Sequence, residues 1–142
     1  MEYLVGGILG LAIGIFGRTS RFDTDRAFYP TALIVVASYY SLFAVMGGSL
    51  VPTLLIETGA GMVFLGIAVF GFQKSMWLVA IGIAGHGIFD FFVHPFLGEN
   101  AGMPQWWPGF CGTIDVVIGG WLAILLLRRH DSIPKFQPGR SS

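Results

Sequence analysis

Long apolar runs separated by short polar breaks set the character of this chain. Five runs stand out, at roughly residues 3–17, 28–47, 50–72, 76–93 and 107–127. Each is longer than an ordinary strand, and most approach the ~20 residues a helix needs to cross ~30 Å of hydrocarbon. The first is short for a crossing. Backbone amides in oil have no water to bond to, and a helix satisfies them within itself. A β-barrel would need short alternating segments, which the chain lacks. The pattern predicts an all-α integral membrane protein, a bundle of five transmembrane helices over residues 1–130. A flexible cytoplasmic tail follows at 131–142.

The breaks between runs are legible. Residues 18–26 form a charged loop, RTSRFDTDR. Its alternating signs suit local ion pairs and a cap for the second helix, with Asp25 at the helix start and Pro30 in its first turn. Contact with lipid phosphates through Arg18, Arg21 and Arg26 is the other reading. Gly47-Gly48-Ser49 reads as a tight turn with Ser49 as a helix cap. Gln73-Lys74-Ser75 reads as a second tight turn. Residues 95–108 are the one long connection, and they carry Trp106 and Trp107, which suit a membrane interface. Pro95 disfavours helical geometry at His94, so the fourth helix is expected to loosen there. No basic residue precedes the first apolar run, so it is read as a retained span and not a secretory signal.

Charge then gives direction. With five crossings, Arg18, Arg21, Arg26, Lys74, Arg128, Arg129, Lys135 and Arg140 all fall on one side. The positive-inside rule places the N-terminus outside and the C-terminus in the cytoplasm of a multi-pass protein of the cell's inner (plasma) membrane. Composition agrees: 54% of the 142 residues are hydrophobic and 11% charged, against about 25% charged in soluble domains. Lipid must therefore cover most of the surface. Net charge is zero, which gives no electrostatic footprint for a nucleic acid. The single cysteine, Cys111, excludes an internal disulfide and a multi-cysteine metal cluster within one chain.

Gly6, Gly10 and Gly14 recur every fourth residue and leave one face of the first helix without side chains. Close packing within the monomer is the favoured use, and a homo-oligomer seam is the alternative. No long internal repeat is visible, and an odd number of spans argues against an inverted duplication.

The candidate chemistry lies inside the oil. Glu57, Asp90 and Asp115 fall within the expected spans, and His86 and His94 share the fourth with Asp90. Each charge costs at least ~2.5 kcal/mol to insert, so partners or a purpose are expected. Glu57 and Asp115 lie about two turns from the outer ends of their helices, and Asp90 and His94 lie near the outer end of theirs. Similar depth predicts a polar pocket opening outward beneath Trp106 and Trp107. His86 and Asp90 share a helix face, as do Asp90 and His94. His86 and His94 are ~12 Å apart along an ideal helix, so His86, Asp90 and His94 bind one divalent metal ion only if the helix bends. No zinc signature is present. Two other readings stay open. The polar groups could simply pair with one another, or with Tyr39, Tyr40 or Ser41. An acid held neutral by its apolar surroundings could instead protonate a double bond or an epoxide, with aromatic rings shielding the cation. Cys111 reads first as a packing residue and second as a nucleophile with His94 as base.

The segments RFDTDRAFYPT (21–31), GHGIFDFF (85–92) and WWPGFCGTIDV (106–116) resemble a family of small bacterial membrane proteins catalogued only as a domain of unknown function. That resemblance spans nearly the whole chain and implies no activity. The chain is also similar in architecture to small membrane enzymes that act on lipids or isoprenoids with buried acids.

The functional expectation is a membrane-embedded enzyme for a small hydrophobic or lipid-like substrate. Glu57, Asp90, Asp115 and His86 would be catalytic, with His94 assisting. Tyr39, Tyr40, Trp106, Trp107 and Cys111 would contact the substrate. The runner-up is a small oligomeric transporter or binding protein for protons, a metal ion or a hydrophobic molecule. An enzyme predicts an enclosed apolar cavity at the acids. A transporter predicts a polar route to the cytoplasmic face, where the spans are poor in polar groups. A structural or accessory subunit, the third reading, predicts internal pairing with no cavity.

Overall fold

A computed structural model describes residues 1–131, so the tail expected at 131–142 lies outside the described residues from 132 onward. Five helices and no strands make up these residues: α1 (Glu2–Thr19), α2 (Phe28–Met46), α3 (Val51–Lys74), α4 (Met76–Phe92) and α5 (Trp107–Asp131). Four of them, α1, α2, α3 and α5, are long and apolar enough to cross a membrane. The shortest, α4, has 17 residues, about 25 Å of helix.

Burial is inverted relative to a soluble bundle. The buried residues of α1 are Gly6, Gly10, Gly14 and Gly17, while Leu4, Ile8, Leu11 and Ile15 are exposed. In oil an exposed aliphatic side chain costs nothing, and a bare glycine face allows contact between backbones. That face seats on α5. A Cβ at Gly6 would lie 2.5 Å from Phe110 O, and one at Gly14 would lie 2.9 Å from Trp121. Gly10 meets Ile114 and Val117 between them. The register advances in one direction on both helices, so α1 and α5 run parallel. The glycine face is thus occupied within the chain.

The sequential pairs α2–α3, α3–α4 and α4–α5 are antiparallel, and α2 and α4 run parallel. Helix α2 packs on α3 through Ser41 and Thr58, whose hydroxyls lie 3.3 Å apart, and Gly61 faces the Ala37 carbonyl. Helix α4 crosses α5 closely where Gly87 meets the Gly112 carbonyl and Gly119 meets Ala84. Consequently Arg18, Arg26, Lys74 and Arg128 share one end of the bundle, called here the basic end. Leu33, Ala68, Val79, Ala80, Ile83 and Ile118 form an apolar core on that side of the site.

The helix boundaries follow local chemistry. Arg21 takes a left-handed conformation (φ 62°) that turns the chain into a short 3-10 turn, Phe22–Thr24. Arg18 pairs with the buried Asp23 at 3.4 Å, and Asp25 Oδ1 accepts from Ala27 N at 2.8 Å just before α2, whose cap position, Ala27, makes no side-chain cap. Ser75 caps α4 by accepting from Trp77 N. Ser49 does not cap α3. The cap position is Leu50, which makes no side-chain cap, and Pro52 fixes the first turn instead. Pro95 does end α-helical geometry, and His94–Phe96 form a 3-10 turn. The connection after it folds back over the bundle, where Gly102 packs backbone to backbone on Gly47.

The α4–α5 crossing yields a stability test. Gly87→Val would place a Cβ 2.5 Å from Gly112 O and force the helices apart, at a cost of ~1–3 kcal/mol. The thermal unfolding midpoint in detergent should fall by several degrees. Gly85→Ala, whose Cβ meets open space, should leave it unchanged or raise it.

Candidate functional site

Two polar clusters lie in one buried layer near the end opposite the basic one. In the first, His86 and Asp90 stand one turn apart on the same face of α4. The glycine crossing brings α5 close enough for Asp115 to join them. His86 Nδ1 lies 2.8 Å from Asp115 Oδ2 and 3.7 Å from Asp90 Oδ2. One ligand-type atom from each of the three residues falls within 4.8 Å of the others. Cys111, one turn before Asp115, places its thiol 3.8 Å from Asp115 Oδ2. All four side chains are buried, and Asp90 has 0% exposure.

The second cluster joins α3 to the segment after α4. His94 Nε2 lies 3.0 Å from Glu57 Oε1. Asn100 Nδ2 donates to the same Glu57 oxygen at 3.0 Å and to the Tyr40 carbonyl at 2.9 Å. His94 therefore does not complete a metal set with His86 and Asp90. The 3-10 turn imposed at Pro95 carries it off the α4 face and towards α3. Asp115 takes its place in the triad. Asn100 was not singled out from the sequence, because a lone asparagine in a loop carries no periodic signal.

Tyr40 separates the clusters. Its ring lies 4.2 Å from the His94 ring and 6.0 Å from the His86 ring. Its hydroxyl is beside Asp90, outside hydrogen-bonding geometry. Phe64 packs edge-on against His86 at 4.7 Å. Glu57, Asp90 and Asp115 do converge in depth, but the outward-opening hollow expected between them is filled. The rings of Tyr40 and Phe64 pack against the histidines there, and Asn100 of the folded-back connection hydrogen-bonds Glu57 and the Tyr40 carbonyl. Among the described residues, neither Asp90 oxygen, nor Glu57 Oε2, nor the Tyr40 hydroxyl has a hydrogen-bond partner.

The cavity lies elsewhere. A groove of about 650 Å³ runs between α1 and α2 over α5. Leu9, Ile13, Val35, Ile114 and Ile118 give it apolar walls, and Arg21 and Asp25 stand at its basic end. Tyr39, Trp107 and Cys111 line it. Tyr40 belongs to the polar layer instead. Trp106 is half exposed and packs on Trp107 and Phe110. Cys111 is the point at which the groove meets the first polar cluster.

No protein-family model matches this chain, and no curated protein or solved structure matches it either.

The second cluster acts as a latch, and it can be tested as one. Asn100→Ala removes both of its hydrogen bonds and leaves a buried Glu57 less satisfied. The expected cost is ~1–3 kcal/mol, with faster amide exchange across residues 97–104. Unchanged exchange would mean that the Gly47–Gly102 contact alone holds the segment.

Proposed function

We propose that this protein is a membrane-embedded enzyme that acts on a small hydrophobic or lipid-like substrate by acid–base chemistry. The observation that carries the reading is the position of Cys111. Its thiol lines the apolar groove and touches Asp115 of the buried His86–Asp115 pair. An apolar molecule in the groove would thus lie one side chain away from the densest ionisable cluster among the described residues.

The groove faces the lipid between α1 and α2, and that gap favours lateral entry from the bilayer. Tyr39 and Trp107 would hold the substrate near the outer end. His86 and Asp115 would exchange a proton, each stabilising the charge form the other requires. Cys111 would stand between that pair and the substrate. Asp90 would supply the second carboxylate of the site. Glu57 and His94, expected beside the substrate, would act at a distance by fixing the segment that seals the layer.

Orientation follows the same reading. Five crossings in the inner membrane, with the N-terminus outside and the C-terminus in the cytoplasm, put the basic end at the cytoplasmic face. The sharing of that end by Arg18, Arg26, Lys74 and Arg128 supports it.

A carrier of the same hydrophobic molecule is the second reading, favoured by the length of the groove. From Ala27 to Tyr39 of its lining, the groove follows α2 for about 18 Å.

Lipid extraction from protein purified in native nanodiscs tests these readings. Wild type should retain a defined hydrophobic species. Ala32→Trp, which fills the groove from α2, should weaken its retention roughly tenfold, ~1.4 kcal/mol. Asp115→Asn should retain the species and abolish its conversion. Identical lipid profiles for wild type and a folded Ala32→Trp would remove the groove from the proposal. Turnover unaffected by Asp115→Asn would remove Asp115 from the chemistry, and retention by wild type without any conversion would leave the carrier.

A further inference from the structure

We propose that His86, Asp90 and Asp115 together hold one divalent transition-metal ion within the bundle. It uses the same residues as the acid–base reading above, and a bound ion would replace the direct proton exchange between His86 and Asp115; it does not rest on the groove being a substrate site.

The argument begins with Asp90. It is 0% exposed, and among the described residues neither of its oxygens has a hydrogen-bond partner. Its closest described approach to a cation-forming group is 3.7 Å, to His86 Nδ1. Buried polar groups are almost always paired, and an unpaired carboxylate in a low-dielectric interior is the most costly exception. A hydrogen-bonded His86–Asp115 pair explains two members of the cluster and leaves the third with no hydrogen bond, only the 3.7 Å approach of His86 and the nearby Tyr40 hydroxyl. An ion in front of Asp90 supplies a partner.

Charge gives the second argument. Two carboxylates, Asp90 and Asp115, stand together in this cluster, while Arg18, Arg26 and Lys74 lie at the far end of the bundle. A protonated histidine would balance one carboxylate only. A divalent ion balances both and leaves the imidazole neutral, as metal ligation requires. The assembly of ion and ligands then carries no net charge, which is the least expensive form in oil.

Geometry gives the third. A tetrahedral ion bound at ~2.1 Å sets its donors ~3.4 Å apart. The separations from His86 Nδ1, 2.8 Å to Asp115 and 3.7 Å to Asp90, bracket that value. The three donors come from rigid elements. His86 and Asp90 are fixed to each other by one helical turn, and the Gly87–Gly112 contact fixes Asp115 against them. Phe64 holds the imidazole edge-on. One imidazole and two carboxylates suit zinc, manganese, iron or cobalt in the divalent state. Magnesium and calcium favour all-oxygen shells with six or more ligands. Cys111 reaches Asp115 but lies outside the three-atom group, so it is not required as a ligand.

The test uses the full chain in nanodiscs, purified without a polyhistidine tag and without chelator. Elemental analysis should find about one first-row transition metal per chain. After stripping, Co²⁺ should restore visible d–d absorption, and Zn²⁺ should compete for the same site. Asp90→Asn and Asp115→Asn should each weaken Co²⁺ binding by roughly a hundredfold or more, while His94→Ala and Glu57→Gln retain it. Should the aspartate variants fail to fold, pulsed EPR of Cu²⁺ bound to wild type decides, because a single imidazole coupling is expected. Two imidazole couplings, or loss of binding in a folded His94→Ala, would overturn this ligand set. Failure of wild type to bind Zn²⁺, Mn²⁺ or Co²⁺ saturably would overturn the site. Lipid retention in the groove is read separately, so either proposal can fail without the other.

Discussion

Backbone-to-backbone contact at α5 is the constraint on which this molecule depends. Lipid tails are as apolar as leucine, so burying aliphatic side chains gives membrane helices little reason to associate. Dispersion between closely approaching surfaces must supply it instead, and that requires side chains to be absent at the crossings. Gly6, Gly10 and Gly14 admit α5 on one side, and Gly112 and Gly119 admit α4 on the other. The second crossing also positions the chemistry. Were α4 and α5 separated by ordinary side chains, Asp115 could not reach His86 at 2.8 Å.

The polar layer makes sense against that background. Once two helices place carboxylates side by side in oil, each charge needs a counterpart at close range. The chain meets this need in two different ways. Glu57 receives His94 and the Asn100 amide on one oxygen, an arrangement that ties α3 to the segment closing the bundle. The His86–Asp90–Asp115 cluster has no such amide donor. It is under-supplied with hydrogens for its number of oxygens, and it adjoins the groove through Cys111. Hydrogen bonds knit the Glu57–His94–Asn100 cluster together, although Glu57 Oε2 and Asn100 Oδ1 have no partner among the described residues. The His86–Asp90–Asp115 cluster leaves both Asp90 oxygens unpaired and so retains more unmet coordination capacity.

The separation between cavity and charge also bears on mechanism. A water-filled pocket at the acids would raise the local dielectric and weaken every interaction there. Here aromatic rings exclude that space, and the open volume lies one helix face away, bounded by aliphatic walls. A hydrophobic molecule could occupy it without hydrating the cluster. On the proposed reading, the chemistry would reach its partner through the wall of the groove and not across an aqueous chamber.

Much of this was written in the order of residues. Five apolar runs far longer than strands dictated helices, because backbone groups in oil must bond within their own segment. The breaks at Asp25, Ser75 and Pro95 fixed where helices begin and end through local backbone chemistry. The depths of Glu57, Asp90 and Asp115 followed from a constant rise per residue. Rotation about each helix axis did not follow, since it is set by which neighbours a helix meets. Hence the sequence placed His94 with His86 by spacing, whereas the turn at Pro95 delivers it to Glu57. For the same reason Asn100 gave no signal until the loop folded back, and the hollow expected between the acids proved to be occupied by Tyr40. Composition and spacing determined that ionisable groups would be sunk in a helical membrane bundle. Only tertiary packing, through contacts distant in the chain, decided which of them would meet and on which side the cavity would lie.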